Sequence, residues 1–458
     1  MPSAPSSPKS FDEVFARANY AVTLRDMPSA LQLFEQAIIL DPHRAEAYYK
    51  RGNVLKDLGR LEEACSSYDR AVEIKPDYAY AYCNRGTVQQ SLGAMAAALS
   101  SYDLAIAHNA MDVIAHYNRA LLMQIFCRWE EALASYDRAI SIDPNYADAQ
   151  YNRALLQLFL GDFENGWRGY EWRWKNATRL AIGDARHFEK PLWLGKESIA
   201  GKRLLLYSEA GLGDTLQFCR YATRCAAEGA SVTLQVQAPL VELLSGLEGV
   251  DRVLPDGAAL PEFDFQCPLM SMPLAFKTLL VTIPTSPRYL ASDEAKVARW
   301  RSELGERHRP RIGLVWSGNP KNTIDHSRSI QLADLITRLP PHFQYFRLQN
   351  QVRSTDQAAL SSSTIVSFSD ESLDFANTAA LCECMDLVIS VDTSVAHLSG
   401  ALGKRTWMLL PFTPDWRWLR ERTDTPWYPT MKLFRQVSAG DWNTALDLIA
   451  LELRATFR

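Results

Sequence analysis

The chain of 458 residues has eight cysteines but no CxxC pair; the nearest two are Cys382 and Cys384. That spacing supports neither a zinc site nor a thioredoxin-like motif. No apolar run approaches the roughly 18 residues needed to span a bilayer. The opening MPSAPSSPKS lacks the apolar centre of a signal peptide and reads as a polar, disordered tail over residues 1–10. A net charge of −4 gives no electrostatic reason to expect nucleic acid as a partner. No Asp-x-Asp pair offers carboxylates to a metal, so no metal and no cofactor are expected. A dinucleotide fingerprint is missing too: after Gly211 and Gly213 the third glycine position holds Leu216, and Gln237 rather than an acid ends the next strand. What remains is a globular composition, 47% hydrophobic and 22% charged, long enough for two or three domains. The expected location is the cytoplasm, with reduced thiols.

The first third repeats. Pro42, Pro76 and Pro144 fall in a 34-residue register, with Ala110 in the missing slot. Ala30, Ala64, Ala98 and Ala132 keep the same register, as do Ala37, Ala71, Ala105 and Ala139, and Phe34, Tyr68, Tyr102, Tyr136 and Tyr170. Small residues belong where two helices of a hairpin touch, a ring fills the gap beside them, and proline closes the second helix. The pattern resembles the tetratricopeptide repeat. Four repeats and an atypical fifth are expected over residues 11–177, the fifth drifting into Trp167, Trp172 and Trp174 like an end cap that docks elsewhere. Asn84, Asn118 and Asn152 also recur at this spacing, each followed by arginine. Side-chain amides in a row can donate to and accept from the backbone of an extended peptide. The column resembles the asparagine ladder of the nucleocytoplasmic O-GlcNAc transferase. That resemblance implies a protein acceptor held on the concave face of the array; the array also leaves room for oligomerisation. Asparagines merely tolerated by the repeat remain the alternative.

Residues 178–200 read as a strap, with Phe188, Pro191, Leu192 and Trp193 packed on a domain surface. An alternating strand and helix pattern follows. Strand Arg203–Tyr207, the turn Gly211-Leu212-Gly213-Asp214, a helix from about Thr215 to Glu228 and strand Val232–Val236 form a βαβ unit, opening a lobe over 201–300. The glycines permit close backbone approach. Asp214 can cap the helix or act as a general base facing a cleft.

A second lobe over 301–440 begins at strand Arg311–Trp316. A polar loop follows with Asp325, His326 and Arg328. Strands Tyr345–Leu348, Thr364–Val366, Leu387–Val391 and Thr406–Leu410 come next, and a terminal helix over 441–458 is expected to cross back over the first lobe. Between the last two strands lies Asp392-Thr393-Ser394-Val395-Ala396-His397, running into a helix rich in small residues. Free N–H groups and two hydroxyls at a helix start make a phosphate site. Simple capping by Asp392 or Thr393 is the plainer alternative. Trp416 and Trp418 can stack on a base or sugar, or anchor lobe packing.

Gly211-Leu212-Gly213-Asp214 together with Asp392-Thr393-Ser394-Val395-Ala396-His397 resembles the heptosyltransferase-type family 9 glycosyltransferases, over about residues 200–458. The stretch Pro411–Trp418 with Pro426-Trp427-Tyr428-Pro429 is similar to their branch fused to tetratricopeptide repeats. The resemblance implies an α-solenoid followed by an α/β GT-B fold, two Rossmann-like lobes with a cleft between them. It implies an inverting, metal-independent glycosyltransferase that uses a nucleotide-sugar donor and a serine or threonine hydroxyl of a protein. On it, Asp214 is the catalytic base and Gly211 and Gly213 form the cleft turn. Thr393, Ser394 and the backbone of Val395 cradle the diphosphate, Asp392 touches the donor sugar, His397 orients the loop and Arg328 lies beside the phosphates. Two rivals stand: a repeat scaffold whose degenerate lobe only senses a nucleotide sugar, and a transferase acting on a glycan.

Overall fold

The computed structural model describes residues 10–176, 186, 188–322, 325–369 and 373–457. The tail expected over 1–10, save Ser10, and much of the first half of the strap lie outside them. The chain divides into two compact units, Met1–Arg153 and Ala154–Arg458. The division comes earlier than residue 177, where the sequence pattern places the end of the array.

The first unit is a run of helical hairpins: α1 (Phe11–Thr23) with α2 (Met27–Leu40), α3 (Ala45–Asp57) with α4 (Leu61–Ile74), α5 (Ala79–Ser91) with α6 (Met95–His108), and α7 (Val113–Ile125) with α8 (Trp129–Ile142). The repeating alanines and rings are the reason. Ala30, Ala64, Ala98 and Ala132 are fully buried, and so are Phe34, Tyr68, Tyr102 and Tyr136. A methyl group on Gly52 would lie 2.6 Å from the Tyr68 ring, so glycine lets the ring into the hairpin. The arginine after each asparagine of the column is structural. Arg85, Arg119 and Arg153 bond Asp69, Asp103 and Asp137 at 2.9, 2.7 and 2.7 Å, one ion pair per repeat. Helix α9 (Ala147–Leu160) follows, with the division between the units inside it.

In the second unit, α10 (Phe163–Tyr170) and a 3-10 turn, Glu171–Trp174, precede two parallel sheets. The first has strand order β3-β2-β1-β4, with β1 Arg203–Tyr207, β2 Ser231–Val236, β3 Arg252–Pro255 and β4 Phe265–Pro268. The strap joins it: Leu192 bridges Gln266, and the Phe188 ring lies 5.1 Å from that of Tyr207. The second has order β6-β5-β7-β8-β9, with β5 Arg311–Val315, β6 Gln344–Arg347, β7 Leu387–Val391, β8 Thr406–Leu410 and β9 Met431–Arg435. Strands β5, β7 and β8 are buried along their whole length, as central parallel strands covered on both faces must be.

Four expectations need correction. The helix foreseen from Thr215 to Glu228 is two, Leu212–Phe218 and Arg220–Ala227, broken at Cys219. The terminal helix, Asn443–Thr456, does not cross to the first lobe. Its Ala445, Leu446, Ile449 and Leu453 enter the core of the second sheet beside Ile312, Leu332 and Tyr345, because its apolar stripe matches the face that β5 and β6 expose. Residues 364–366 contribute only an isolated bridge, Phe346 to Val366. Helix Glu294–Leu304, split by the expected lobe boundary at 300, packs against helix Phe375–Glu383 and so belongs to the second lobe. No helix is long and apolar enough to cross a membrane among the described residues.

Candidate functional site

Both sheets reverse their strand order once. In the first, the chain winds from β1 to β2 and β3 on one side, then returns to β4 on the other. In the second, β5 leads to β6 on one side, and β7 to β9 fill the other. Loops leaving adjacent strands at such a reversal splay apart and leave a crevice at the carboxyl ends, where parallel α/β sheets bind ligands. In the second sheet that position opens on a cavity of about 590 Å³, and the turn after β1 of the first sheet forms its facing wall. It is lined by Gly211 to Asp214 after β1, Ser317 to Asn319 after β5, Leu348 to Gln351 after β6 and Asp392 to Val395 after β7. Arg328, His397, Asp415 and Arg417 complete the polar wall. The volume falls in the range of small-molecule sites.

All the residues named for donor binding and catalysis therefore meet in one place. Val391 ends a buried strand, Thr393 is extended (φ −143°, ψ 169°) and the helix Ser394–Ala401 starts at once. Thr393 makes no side-chain cap; its hydroxyl pairs with that of Ser390 at 3.1 Å. Capping by Thr393 therefore does not account for this stretch. The first backbone bonds of the turn are from Ala396 and His397 to the Thr393 carbonyl, at 3.1 and 3.3 Å. The N–H groups of Ser394 and Val395 belong to the set that a helix cannot satisfy internally, and both residues line the cavity.

Arg328 donates to the Asp392 carbonyl at 2.9 Å and contacts Asp325 at 3.3 Å. Asp325 is buried, and it also holds Arg353 and Ser329. The two arginines hold this carboxylate inside the polar loop. Asp392 turns one carboxylate oxygen to the indole N–H of Trp418 at 2.9 Å, while the other lies 3.8 Å from His397 Nε2. Burial and the neighbouring Asp415 push its pKa up to about 6, against the pull of the Trp418 hydrogen bond, Arg328 and Arg417. Burial and the nearby arginines hold His397 well below its usual pKa, so its imidazole is neutral. Its Nδ1 shares a 2.8 Å hydrogen bond with the Tyr428 hydroxyl. A methyl on Gly213 would come 2.8 Å from the His397 ring, so this glycine lets the turn of the first lobe rest on the helix Ser394–Ala401 of the second.

Asp214 is not the cap residue but the third residue of its helix. One oxygen accepts from the Gly211 N–H at 2.8 Å, and the other pairs with Arg417. It closes the turn from inside the helix and also lines the cavity. Arg417, Asp415 and Trp418 were missed as polar site residues. They lie in Pro414-Asp415-Trp416-Arg417-Trp418, where the tryptophans dominate the pattern. The signal is the alternation of charge and ring from Asp415 to Trp418, since a charge beside buried tryptophans needs a partner. Trp416 and Trp418 are anchors rather than stacking platforms. Trp416 meets Trp167 at 5.2 Å, and both tryptophans are buried. Among the described residues no group of three or more His, Cys, Asp or Glu is placed to hold a metal ion.

In the first unit, the Asn84 amide donates to Asn53 at 2.8 Å and to the Tyr49 hydroxyl at 3.2 Å. The Asn152 amide donates to Tyr117 at 2.8 Å. Asn118 is half-buried like the other two. Asn84 and Asn152 are thus tied to the preceding repeat by their nitrogen atoms.

Fold and site together define a tetratricopeptide-repeat solenoid followed by a parallel α/β region carrying one polar cleft. Comparison with known proteins agrees for the solenoid: the TPR repeat matches residues 52–93 and 128–161, and the Tetratricopeptide repeat matches 33–66. Protein FlbA of Caulobacter vibrioides is 26% identical over 326 residues, 65% of this chain and 53% of FlbA. The chain thus spans about half the length of that curated relative. Among solved structures, MamA is 22% identical over 36% of this chain and 96% of its own, with a TM-score of 0.33. YrrB, a TPR protein with an unusual peptide-binding site, is 24% identical over 35% of this chain and 82% of its own, with a TM-score of 0.32.

Proposed function

We propose that the chain is an inverting glycosyltransferase that takes a sugar from a nucleotide-sugar donor and places it on a serine or threonine hydroxyl of a protein recruited by the repeats. One observation carries this reading: turns from both lobes line a single cavity, with Asp214 on one side and Arg328 with the Asp392–Val395 helix start on the other. The diphosphate would lie against the N–H groups of Ser394 and Val395, the hydroxyls of Thr393 and Ser394, and Arg328. These groups answer the charge that collects on a departing nucleotide. Asp214 would take the proton as the acceptor oxygen bonds to the anomeric carbon. The bond from that carbon to the phosphate oxygen breaks at the same time, its electron pair leaving on the diphosphate. Asp392 would contact the donor sugar, and the neutral His397 would keep the two turns together.

A second reading has its own observation. Both oxygens of Asp214 are engaged, by Gly211 and Arg417, as a lobe that binds a nucleotide sugar without turning it over would allow. The repeats would then make the chain a protein-binding scaffold. A thermal-shift series with nucleotide sugars and nucleoside diphosphates tests what the readings share, since a ligand of the folded state raises its stability by mass action. No shift with any of them rejects both. Asp214→Asn then separates them: as a transferase the variant keeps donor binding and loses about 10²–10⁴-fold in turnover. Unchanged turnover would reduce Asp214 to a helix-end residue.

A further inference from the structure

The least expected feature of the cavity is its acidity. Its described lining holds three carboxylates, Asp214, Asp392 and Asp415, against two guanidiniums, Arg328 and Arg417. A diphosphate brings further negative charge and needs cations that can turn to it. Arg328 is partly spoken for, since it contacts Asp325 and donates to a carbonyl.

Arg417 is differently placed. Its Nε donates to Gln217 at 2.7 Å and its Nη1 to Asp415 at 2.8 Å, while its Nη2 pairs with Asp214. Burial works against its charge, but Asp415 and Asp214 outweigh that and keep it protonated. The guanidinium also lies 4.4 Å from the centre of the buried Trp416 ring. Gln217, Asp415 and Trp416 therefore fix the base of the fork, and only the Nη2 end is committed to the residue that must act as base. A guanidinium has five N–H groups, and the three contacts leave two over.

Building on the donor-site reading above, we propose that Arg417 is an exchangeable cleft cation: it clamps Asp214 in the empty site and turns its Nη2 end to the diphosphate when the donor binds, freeing the Asp214 carboxylate only in the loaded site. Exchange of carboxylate for phosphate keeps a charge-assisted hydrogen bond on the guanidinium throughout. Asp415 holds Arg417 through the backbone N–H as well, at 3.0 Å, so the residue keeps an anchor during the exchange. An empty site then holds its base in an ion pair, which guards against proton transfer before a donor is present.

The test is calorimetry on the full chain with UDP, GDP, ADP and dTDP, followed by the tightest of these on variants. Arg417→Gln should weaken it about ten- to hundredfold, the range for a charge-assisted hydrogen bond. The matching nucleoside, which lacks phosphate, should bind as to wild type. Asp214→Asn breaks the clamp and should tighten the diphosphate several-fold, and the double variant Asp214→Asn with Arg417→Gln should lose that gain. Arg417→Lys should recover part of the affinity. Where Arg417→Gln does not fold, Asp214→Asn and Arg417→Lys still decide the matter. Unchanged affinity in the Arg417 variants overturns the proposal, and so does a gain that survives in the double variant, which would be plain removal of negative charge. If wild type binds none of the four diphosphates, the donor-site reading itself has failed; if it binds one and only the variant pattern is wrong, the exchange alone has failed.

Discussion

Asp392→Asn should stabilise the protein at neutral pH. The carboxyl is pushed up to about 6 in the folded chain from its usual 3.8, first by burial and next by Asp415. A carboxyl whose folded pKa lies above its unfolded one binds its proton more tightly when folded. Stability therefore falls as pH rises from about 3.8 to about 6, and the full cost is present above that window. Two pH units at about 1.4 kcal/mol each set an upper bound near 3 kcal/mol. Asparagine copies the protonated form, removes the buried charge and still offers a carbonyl oxygen to the indole N–H of Trp418.

The expected gain is about 1–3 kcal/mol at pH 7.5, shrinking to nothing near pH 4. Tryptophan fluorescence is the right monitor, because Trp129 is the only one of the twelve tryptophans that precedes Ala154. For a unit of this size the gain corresponds to a rise in melting temperature of several degrees. Loss of transfer activity in the same variant would mark the charge as kept for function at the expense of stability. A variant less stable than wild type by the same amount at pH 5 and pH 8 would refute the reasoning. It would mean that the ionised carboxylate, held by Trp418 and the arginines, is the favoured form.

Two further outcomes follow from the same geometry. Arg328→Ala should weaken nucleoside diphosphate binding by about 1.5–3 kcal/mol, measured by calorimetry, with the fold checked by circular dichroism; unchanged affinity would remove the helix start of Ser394 from the donor site. Replacing Asn84, Asn118 and Asn152 together with alanine should lower transfer to a protein acceptor while hydrolysis of the donor persists. The variant should also melt earlier, because the Tyr49 and Tyr117 hydroxyls lose partners worth about 1 kcal/mol each. Equal transfer rates in variant and wild type would end the acceptor role of the column.

The legible parts of this chain are those fixed by local pattern. A 34-residue period needs only small residues and rings in register, and the alanines and tyrosines so placed are buried. Strands β1, β7 and β8 were legible to the residue, since each is an apolar run bounded by polar or glycine turns. Strands β3, β4 and β9 were not. Arg252–Pro255 is short and mostly half-buried, and Phe265–Pro268 ends in the proline it shares with the next turn. Neither reads as alternating or as a continuous apolar run. The terminal helix was visible, but its destination depends on which sheet face is left uncovered, which one segment does not record.

The polar partners in the site were the least legible, for a related reason. Asp214 and Arg417 lie 203 residues apart, as separate local signals, and their meeting depends on how two lobes pack. What brings them together is apolar. Phe218, which ends the helix carrying Asp214, and Trp416, which precedes Arg417, both pack on Trp167 of α10, with ring centres 6.4 and 5.2 Å from its own. Arg173, wholly buried just beyond, makes two 2.9 Å bonds to Glu209, two residues before Gly211. The tryptophan-rich stretch in which the repeat pattern fades is therefore a brace behind both turns of the cavity. Its rings set the distance between the charges, while the charges themselves can change partners. On the proposed function, a rigid apolar back with an exchangeable ionic front suits a site that orders a charged donor and then lets it go.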